Sequence, residues 1–474
     1  SRTIWYVKTE GVFIASCSQR AIVMLLGSFQ INNVALPWML SSGMLGPNNS
    51  WDLRINQLQG NSRLILDRLT WEISVHTSLS AFRSNSLPRN QHRNRLKRAC
   101  KSSVDKLNLD YTKGILTISG GYDSRALLLM LNSPKDLKCI HYGLKDGKKE
   151  LGTDAAVTDE LAKEMGLNYQ FYATDISDEP IDIIFNRFLV AGEGRIDHIS
   201  GYMDGFKIWK NIHEEKYQWI LRADEGFGSN LVETERDVRM NLYLLAMLKD
   251  YPNIHEIYDD FDLPLQKIPD SLIREKKESI ETWRDRIYHD YMFPQYLAAL
   301  SELKTAFIEV INPFISKEIF DVIRSMPDKY RTNKSVFKEI VSELSPDVAF
   351  TKLKSVAAPK NILQEERVIE EIVSELDRPS AINYLSEILI SYIKNQLQTK
   401  KNGSGSSKII SRVKSRVIKH VPKWVISKYV KLRPKVYPPI NAHVFAFRAY
   451  IICKMTRILD EDAQFFANIK NSKM

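Results

Sequence analysis

Apolar and polar positions change rhythm along the chain, and the changes mark out its parts. Residues 1–75 hold short β-rich runs, Thr3–Val7, Gly11–Ser16 and Arg63–Asp67, with a helical stretch Gln19–Leu26 and breaks at Gly46-Pro47 and Gly60. They predict a β-layered unit. Residues 80–106 are polar and basic, interrupted at Pro88, and predict a linker leading into a helix. From Gly114 strands and helices alternate. Gly114–Ile118 is a short apolar, partly β-branched run that ends in Ser119-Gly120-Gly121, and Ser124–Leu131 after it is helical in character. A strand Lys138–Tyr142, a helix Thr153–Met165 closed by Gly166, a strand Tyr169–Tyr172, a helix from Pro180 and a strand Gln218–Leu221 follow. This order predicts an α/β fold, a parallel sheet with helices on both faces. Beyond residue 230 the strand signals fade and helices are expected to the end. The divisions expected are 1–79, 80–113, 114–360 and a helical region 361–474. In the last, Lys400–Ser407 has the composition of a flexible loop, and Ile410, Val413, Val417, Val421 and Trp424 recur at helical spacing between basic residues, kinked at Pro422.

Composition narrows the class. With 474 residues, 44% apolar and 10% aromatic, the chain can bury the cores of two or three domains, which excludes disorder as its main state. No uninterrupted apolar stretch approaches the ~20 residues of a membrane-spanning helix. Cys17, Cys100, Cys139 and Cys453 lie far apart with no Cys-x-x-Cys, so neither a disulfide framework nor a zinc site is legible. Thiols in a reducing cytosol are the simplest account. Cys17, after the apolar run Val12–Ala15, is expected to be a buried small residue. The chain opens on Ser1 without a signal-peptide pattern, as a trimmed or processed start would.

The net charge of +10 is unevenly placed. No acidic residue occurs between Glu387 and Asp460, an interval with 16 basic ones. A second acid-free interval, Glu72 to Asp105, carries Arg83, Arg89, Arg93, Arg95, Lys97, Arg98 and Lys101. The remainder is slightly acidic, so the basic excess is weak evidence for nucleic acid. For residues 388–459 the expected neighbours are solvent, an acidic partner or a membrane surface.

Chemistry concentrates in Ser119-Gly120-Gly121-Tyr122-Asp123-Ser124. Between a strand and its helix, backbone N–H groups and the helix N-terminus converge on an anion, and phosphate is the natural guest. Glycines let the backbone approach phosphate oxygens, Ser119 and Ser124 can donate hydroxyl hydrogen bonds, and Asp123 can hold a magnesium ion. A Gly-Gly turn alone would need no ligand; hydroxyls, acid and strand–helix context together favour the phosphate reading. No Walker lysine follows, which excludes the P-loop of the common NTPases.

With these residues the chain resembles the PP-loop ATP pyrophosphatases, whose signature is Ser-Gly-Gly-x-Asp-Ser. More narrowly it resembles the asparagine synthetase and β-lactam synthetase group, with asparagine synthase-related proteins and lasso-peptide cyclases. Three further stretches carry the narrower resemblance: Asp224-Glu225-Gly226-Phe227-Gly228, Glu309-Val310-Ile311-Asn312-Pro313-Phe314, and Pro346 through Lys354. The resemblance implies ATP and Mg2+, with Ser119, Gly120, Gly121, Asp123, Ser124 and Gly143 at the nucleotide and Asp123 and Asp224 as magnesium carboxylates. It also implies Lys354 as the catalytic lysine, where a fixed positive charge stabilises developing negative charge, and Glu309 as a base for the attacking amine. The departures are Leu221-Arg222-Ala223, where the asparagine synthetases carry a glutamate and a glycine, and Ile311 and Ser316 around Pro313-Phe314. A substrate other than aspartate is favoured.

Residues 1–75 resemble the later part of the glutamine amidotransferase domain that precedes the synthetase domain in this family. That domain uses an N-terminal cysteine nucleophile, and no such cysteine stands here, so glutaminase activity is not expected. The implied activity is an ATP-dependent, AMP- and pyrophosphate-forming ligase that adenylates a carboxylate and forms an amide. The amine is ammonia, a second small molecule, sugar or peptide, or a group within the same substrate that closes a ring. Two alternatives stay open: a PP-loop enzyme that modifies tRNA, and an inactive scaffold. The expected setting is cytoplasmic or peripheral to a membrane, with a homo-oligomer among the possible assemblies and nucleic acid not the expected partner.

Overall fold

Ile115, Ile140 and Ile220 are buried in one hydrophobic core, while their chain neighbours Leu116, Cys139, Trp219 and Leu221 are buried in another. This period of two is that of strands covered on both faces. The computed structural model, which describes residues 2–241, 245–353, 359–401 and 437–472, places them in a five-stranded, all-parallel sheet. In chain order its strands are β6 (Gly114–Thr117), β7 (Lys138–Gly143), β8 (Tyr169–Ala173), β9 (Trp219–Leu221) and β10 (Glu309–Ile311), and in space they run β10-β9-β6-β7-β8. The chain thus builds outward from β6 in one direction and returns to β6's other side with β9. Between β6 and β9 the order reverses.

The five strands before them form two small antiparallel units. β1 (Ile4–Lys8) lies between β2 (Phe13–Ser16) and β3 (Asn56–Leu58), and β4 (Ser62–Leu66) pairs with β5 (Ile73–Thr77). Two helices, α1 (Gln19–Leu26) and α2 (Ala35–Ser42), belong to this region. Ser18 caps α1 by accepting from Ala21 N, and Gly27 closes it in the left-handed conformation.

Helices cover both faces of the large sheet. α3 (Arg89–Asp105), α4 (Tyr122–Met130), α5 (Asp154–Glu164) and the helices Lys317–Arg324 and Ser335–Leu344 share the core of Leu116 and Leu221. α6 (Ile181–Gly192), α7 (Lys207–Glu214) and the long C-terminal helix Ala442–Ser472 share the core of Ile115 and Ile220, which also takes in Trp5, Trp38 and Trp51 from the N-terminal region. Between the helices Ile280–Ile287 and Ala298–Thr305 the turns widen to a π-helix, Tyr288–Leu297, with Pro294 inside it.

The structure corrects several expectations. Much of the stretch 80–113, expected as a linker, is the 17-residue helix α3, whose Leu96, Ala99, Cys100 and Val104 are buried. Three of its basic side chains face acids of the same chain: Arg89 pairs with Glu339, and Arg93 and Lys97 with Glu343. Strand structure does not end at residue 230, because β10 completes the sheet beside β9. Cys17 is exposed, in the bend that joins β2 to α1. Within 388–459 Arg448 pairs with Asp197, Arg457 with Glu375, and Lys394 with Asp377, so these three cations are taken up by the fold. The basic repeat from Ile410 to Trp424 lies outside the described residues. Among the described residues no helix is long and apolar enough to cross a membrane.

Candidate active site

Parallel α/β sheets bind ligands beyond the carboxyl ends of their strands, where the strand order reverses. Here that point lies between β6 and β9, and both motifs follow those strands: Ser119–Ser124 after β6, Arg222–Gly228 after β9. They meet in a cleft of about 220 Å3, lined by Ser119, Asp123, Ser124, Asp154, Arg222 and Asp224 among others.

The loop is set by short-range bonds. Ser119 N donates to Ser124 Oγ at 2.8 Å, and the two serine hydroxyls are 2.7 Å apart. Gly120 N donates to Asp154 Oδ1 at 2.7 Å, and Gly121 N to Ser119 Oγ at 3.3 Å. The two glycines have different reasons. A Cβ on Gly120 would lie 2.6 Å from Val157 Cγ1, so the loop packs onto α5 only without a side chain. A Cβ on Gly121 would meet only Ser119 Oγ, at 3.4 Å. Gly121 then leads into α4, whose first-turn acid is Asp123.

Charged pairs surround the loop. Lys334 Nζ stands 2.9 Å from both oxygens of Asp123 and 2.5 Å from Glu225 Oε1. Asn333 and Lys334 have φ of 59° and 54°, a left-handed pair without glycine that begins the helix Ser335–Leu344 and turns the lysine onto the acids. Burial pushes the Glu225 carboxyl up to about 7, with Asp123's charge adding and Lys334 opposing. Burial also works against the Lys334 ammonium, but Glu225 and Asp123 more than offset it and hold its pKa well above the usual lysine range. Across the cleft Arg222 Nε and Nη2 donate to the two oxygens of Asp224 at 3.2 and 3.1 Å, and Nη1 donates to the Tyr142 hydroxyl at 3.3 Å. Burial favours the neutral Asp224; Arg222 outweighs it and keeps the carboxyl below its ordinary value. Behind this pair Lys304 is buried, donating to Tyr202 Oη at 2.8 Å and Leu300 O at 2.7 Å. Burial, with Arg222's charge beside it, holds its pKa well below the usual value.

The stretch that ends at Lys354 is strapped over the loop. Arg125, buried on α4, donates to Ser345 Oγ and to the carbonyls of Gly120, Val348 and Ala349. Its guanidinium lies 4.1 Å from the ring centroid of Phe350, which stacks on Tyr122 at 3.9 Å. Thr351 N donates to Gly120 O at 3.0 Å, and Asp154 N to Leu353 O at 2.8 Å.

The structure therefore brings Ser119, Gly120, Gly121, Asp123, Ser124 and Asp224 together. Gly143 ends β7 on the same edge of the sheet, its carbonyl accepting from Thr174 N at 2.9 Å. Lys354 lies outside the described residues, although the strap leading to it reaches the loop. Glu309 is not part of the cluster. It is exposed at the first position of β10, opposite Trp219, and so belongs to the amino end of a sheet whose cleft opens at the carboxyl end. From that segment Asn312 is the residue that arrives, its Oδ1 accepting from Asp224 N at 3.4 Å. Sequence reasoning missed Lys334, Asp154 and Asn312 as site residues; Arg222 carried a signal, as a charged residue beside the Asp-Glu motif.

This arrangement fits a polyphosphate, which would find the uncapped start of α4, the hydroxyls of Ser119 and Ser124 and the Arg222 guanidinium at one opening, with Lys334 on Asp123 beside it. Among the described residues no group of three or more His, Cys, Asp and Glu side chains is arranged to hold a metal ion. Asp123 is the carboxylate that would hold a magnesium ion brought in with a nucleotide, and the ion would supply positive charge to the phosphates. Fold and site define an α/β protein with a Ser-Gly-Gly loop at the switch point of a parallel sheet. No protein-family model and no curated protein matches the chain.

Proposed function

We propose that this chain is an ATP-dependent, AMP- and pyrophosphate-forming ligase of the PP-loop type, which adenylates a carboxylate and passes the acyl group to an amine. One observation carries the reading: Ser119, Asp123 and Ser124 of one motif and Asp224 of the other, far apart in sequence, face one cleft at the sheet's switch point, with the strap that leads to Lys354 bonded to the same loop. The uncapped first-turn amides of α4 and the hydroxyls of Ser119 and Ser124 hold the polyphosphate of ATP, and Lys334 is within reach of it from its place on Asp123. Asp123 would hold magnesium, which would supply positive charge to the phosphates. Lys354, at the end of the strap, is the cation offered to the acyl oxygen. Glu309 has no part in this scheme.

In this reading the amine is free ammonia, a second molecule or a group of the same substrate. The tRNA-modifying alternative draws on the basic segments, but in 80–113 three of those side chains, Arg89, Arg93 and Lys97, answer Glu339 and Glu343. The test is pyrophosphate release over a panel of amino acids, amino-sugar acids and precursor peptides. Asp123→Asn and Lys334→Ala should each lower the rate by about 10²-fold or more, the loss typical of removing a group that meets developing charge. Full activity in either would remove that residue from the site. Absence of ATP binding would leave the inactive-scaffold reading.

A further inference from the structure

Two of the cleft's three carboxylates, Asp123 and Asp224, are held differently. The Asp123 side chain is 38% exposed, and its partner Lys334 is a compact ammonium on a flexible stem, already shared with Glu225 at 2.5 Å. Lys334 can yield Asp123 to another cation and keep its pairing with Glu225. The Asp224 side chain is only 14% exposed, and both its oxygens are occupied by the planar fork of Arg222, at 3.1 and 3.2 Å. Tyr142 Oη and the backbone fix the fork: Arg222 N donates to Ile311 O at 2.9 Å, so the residue is tied at both ends. Arg222 is permanently charged and lines the cleft. Magnesium requires near-octahedral oxygens at 2.0–2.1 Å and gives up its waters reluctantly. A carboxylate bonded on both oxygens by a fixed cation offers it fewer open lone pairs and an unfavourable field.

We infer that Arg222 takes the place of a metal ion at Asp224, so that the nucleotide binds with a single divalent ion, on Asp123, and the guanidinium supplies the second positive charge to the polyphosphate. This rests on the ATP-dependent reading above and adds the metal stoichiometry of the same site. The experiment counts Mn2+ bound per full-length chain, by electron paramagnetic resonance, with the non-cleavable α,β-methylene analogue of ATP at saturation. The expected result is one Mn2+ in the native chain and two in Arg222→Ala, where Asp224 is released. Two in the native chain, or one in both, would overturn the inference and leave the ATP-dependent reading standing. No binding of the analogue would overturn both. If Arg222→Ala does not fold, Asp224→Asn decides: retention of the single Mn2+ supports the inference, and its loss overturns it.

Discussion

His289 shows how much of the site is set by residues that never line it. Its Nε2 lies 3.0 Å from Gly226 O, which makes Nε2–H the donor, and its Nδ1 accepts from Arg324 Nε at 3.3 Å. This bond holds the carbonyl inside Asp224-Glu225-Gly226, just behind the two acids. Burial pushes the imidazole down from 6.5 to about 4, the backbone bond opposing. Between those values the unfolded chain binds the extra proton and the folded chain does not. His289 therefore contributes stability that is present above pH 6.5 and lost as pH falls through about 4. At about 1.4 kcal/mol per pKa unit the contribution is about 3 kcal/mol. His289→Gln, which keeps a donor and an acceptor, should flatten the fall in urea-unfolding stability between pH 7 and 4.5; an unchanged slope would show that another group titrates there.

Among elements, the strap 345–353 has the largest functional consequence. It has no regular secondary structure of its own and is held by Arg125, by Phe350 on Tyr122 and by backbone bonds to Gly120 and Gly152. Arg125→Met keeps the stem but removes the donors to three carbonyls. It should cost roughly 3 kcal/mol, since bonds to charged groups contribute ~1.5–3 kcal/mol each and do not add fully. Limited proteolysis should then cut near residues 346–353 well before the rest of the chain; equal protection in both proteins would show that the strap holds without Arg125. The elements also show what sequence discloses. Strands β6 to β9 and helices α4 to α6 were legible because short apolar or aromatic runs alternate with helical periods, the first two runs meeting glycines. β10 was not, because Glu309–Ile311 has two apolar residues and becomes a strand only by pairing with β9. The all-buried α2 has no polar face, so its sequence has no helical period. At the site, the two loop motifs were legible from glycines, hydroxyls and acids close in sequence. Lys334 was not, because it reaches Asp123 across 211 residues through a left-handed backbone. The Glu309 expectation went astray because motif order along a chain does not say which end of a strand a residue occupies.

Over the whole molecule one core joins the two ends of the chain. Trp5, Trp38 and Trp51 from the start and Phe447, Tyr450 and Ile451 from the end share it with Phe185 and Phe188 of α6. Polar ties cross the same boundary: the Glu193 carboxylate accepts from the amides of Gln19 and Arg20 at the start of α1, and Arg448 joins Asp197 at 2.7 Å to the carbonyls of Leu40 and Ser41. Arg448→Met strands the Asp197 carboxylate and should cost about 3–5 kcal/mol, as breaking a buried pair does. Denaturant unfolding should show that loss in one cooperative transition that includes the N-terminal region; an unchanged midpoint would remove Arg448 from the account. The central claim is adenylation of a carboxylate at the loop after β6, and ATP–pyrophosphate isotope exchange tests it most directly. With the panel of carboxylates and Mg2+, the native chain should exchange labelled pyrophosphate into ATP for at least one class of acid, and Asp123→Asn should not. ADP and phosphate as products, turnover that requires RNA, or exchange that survives Asp123→Asn would contradict it.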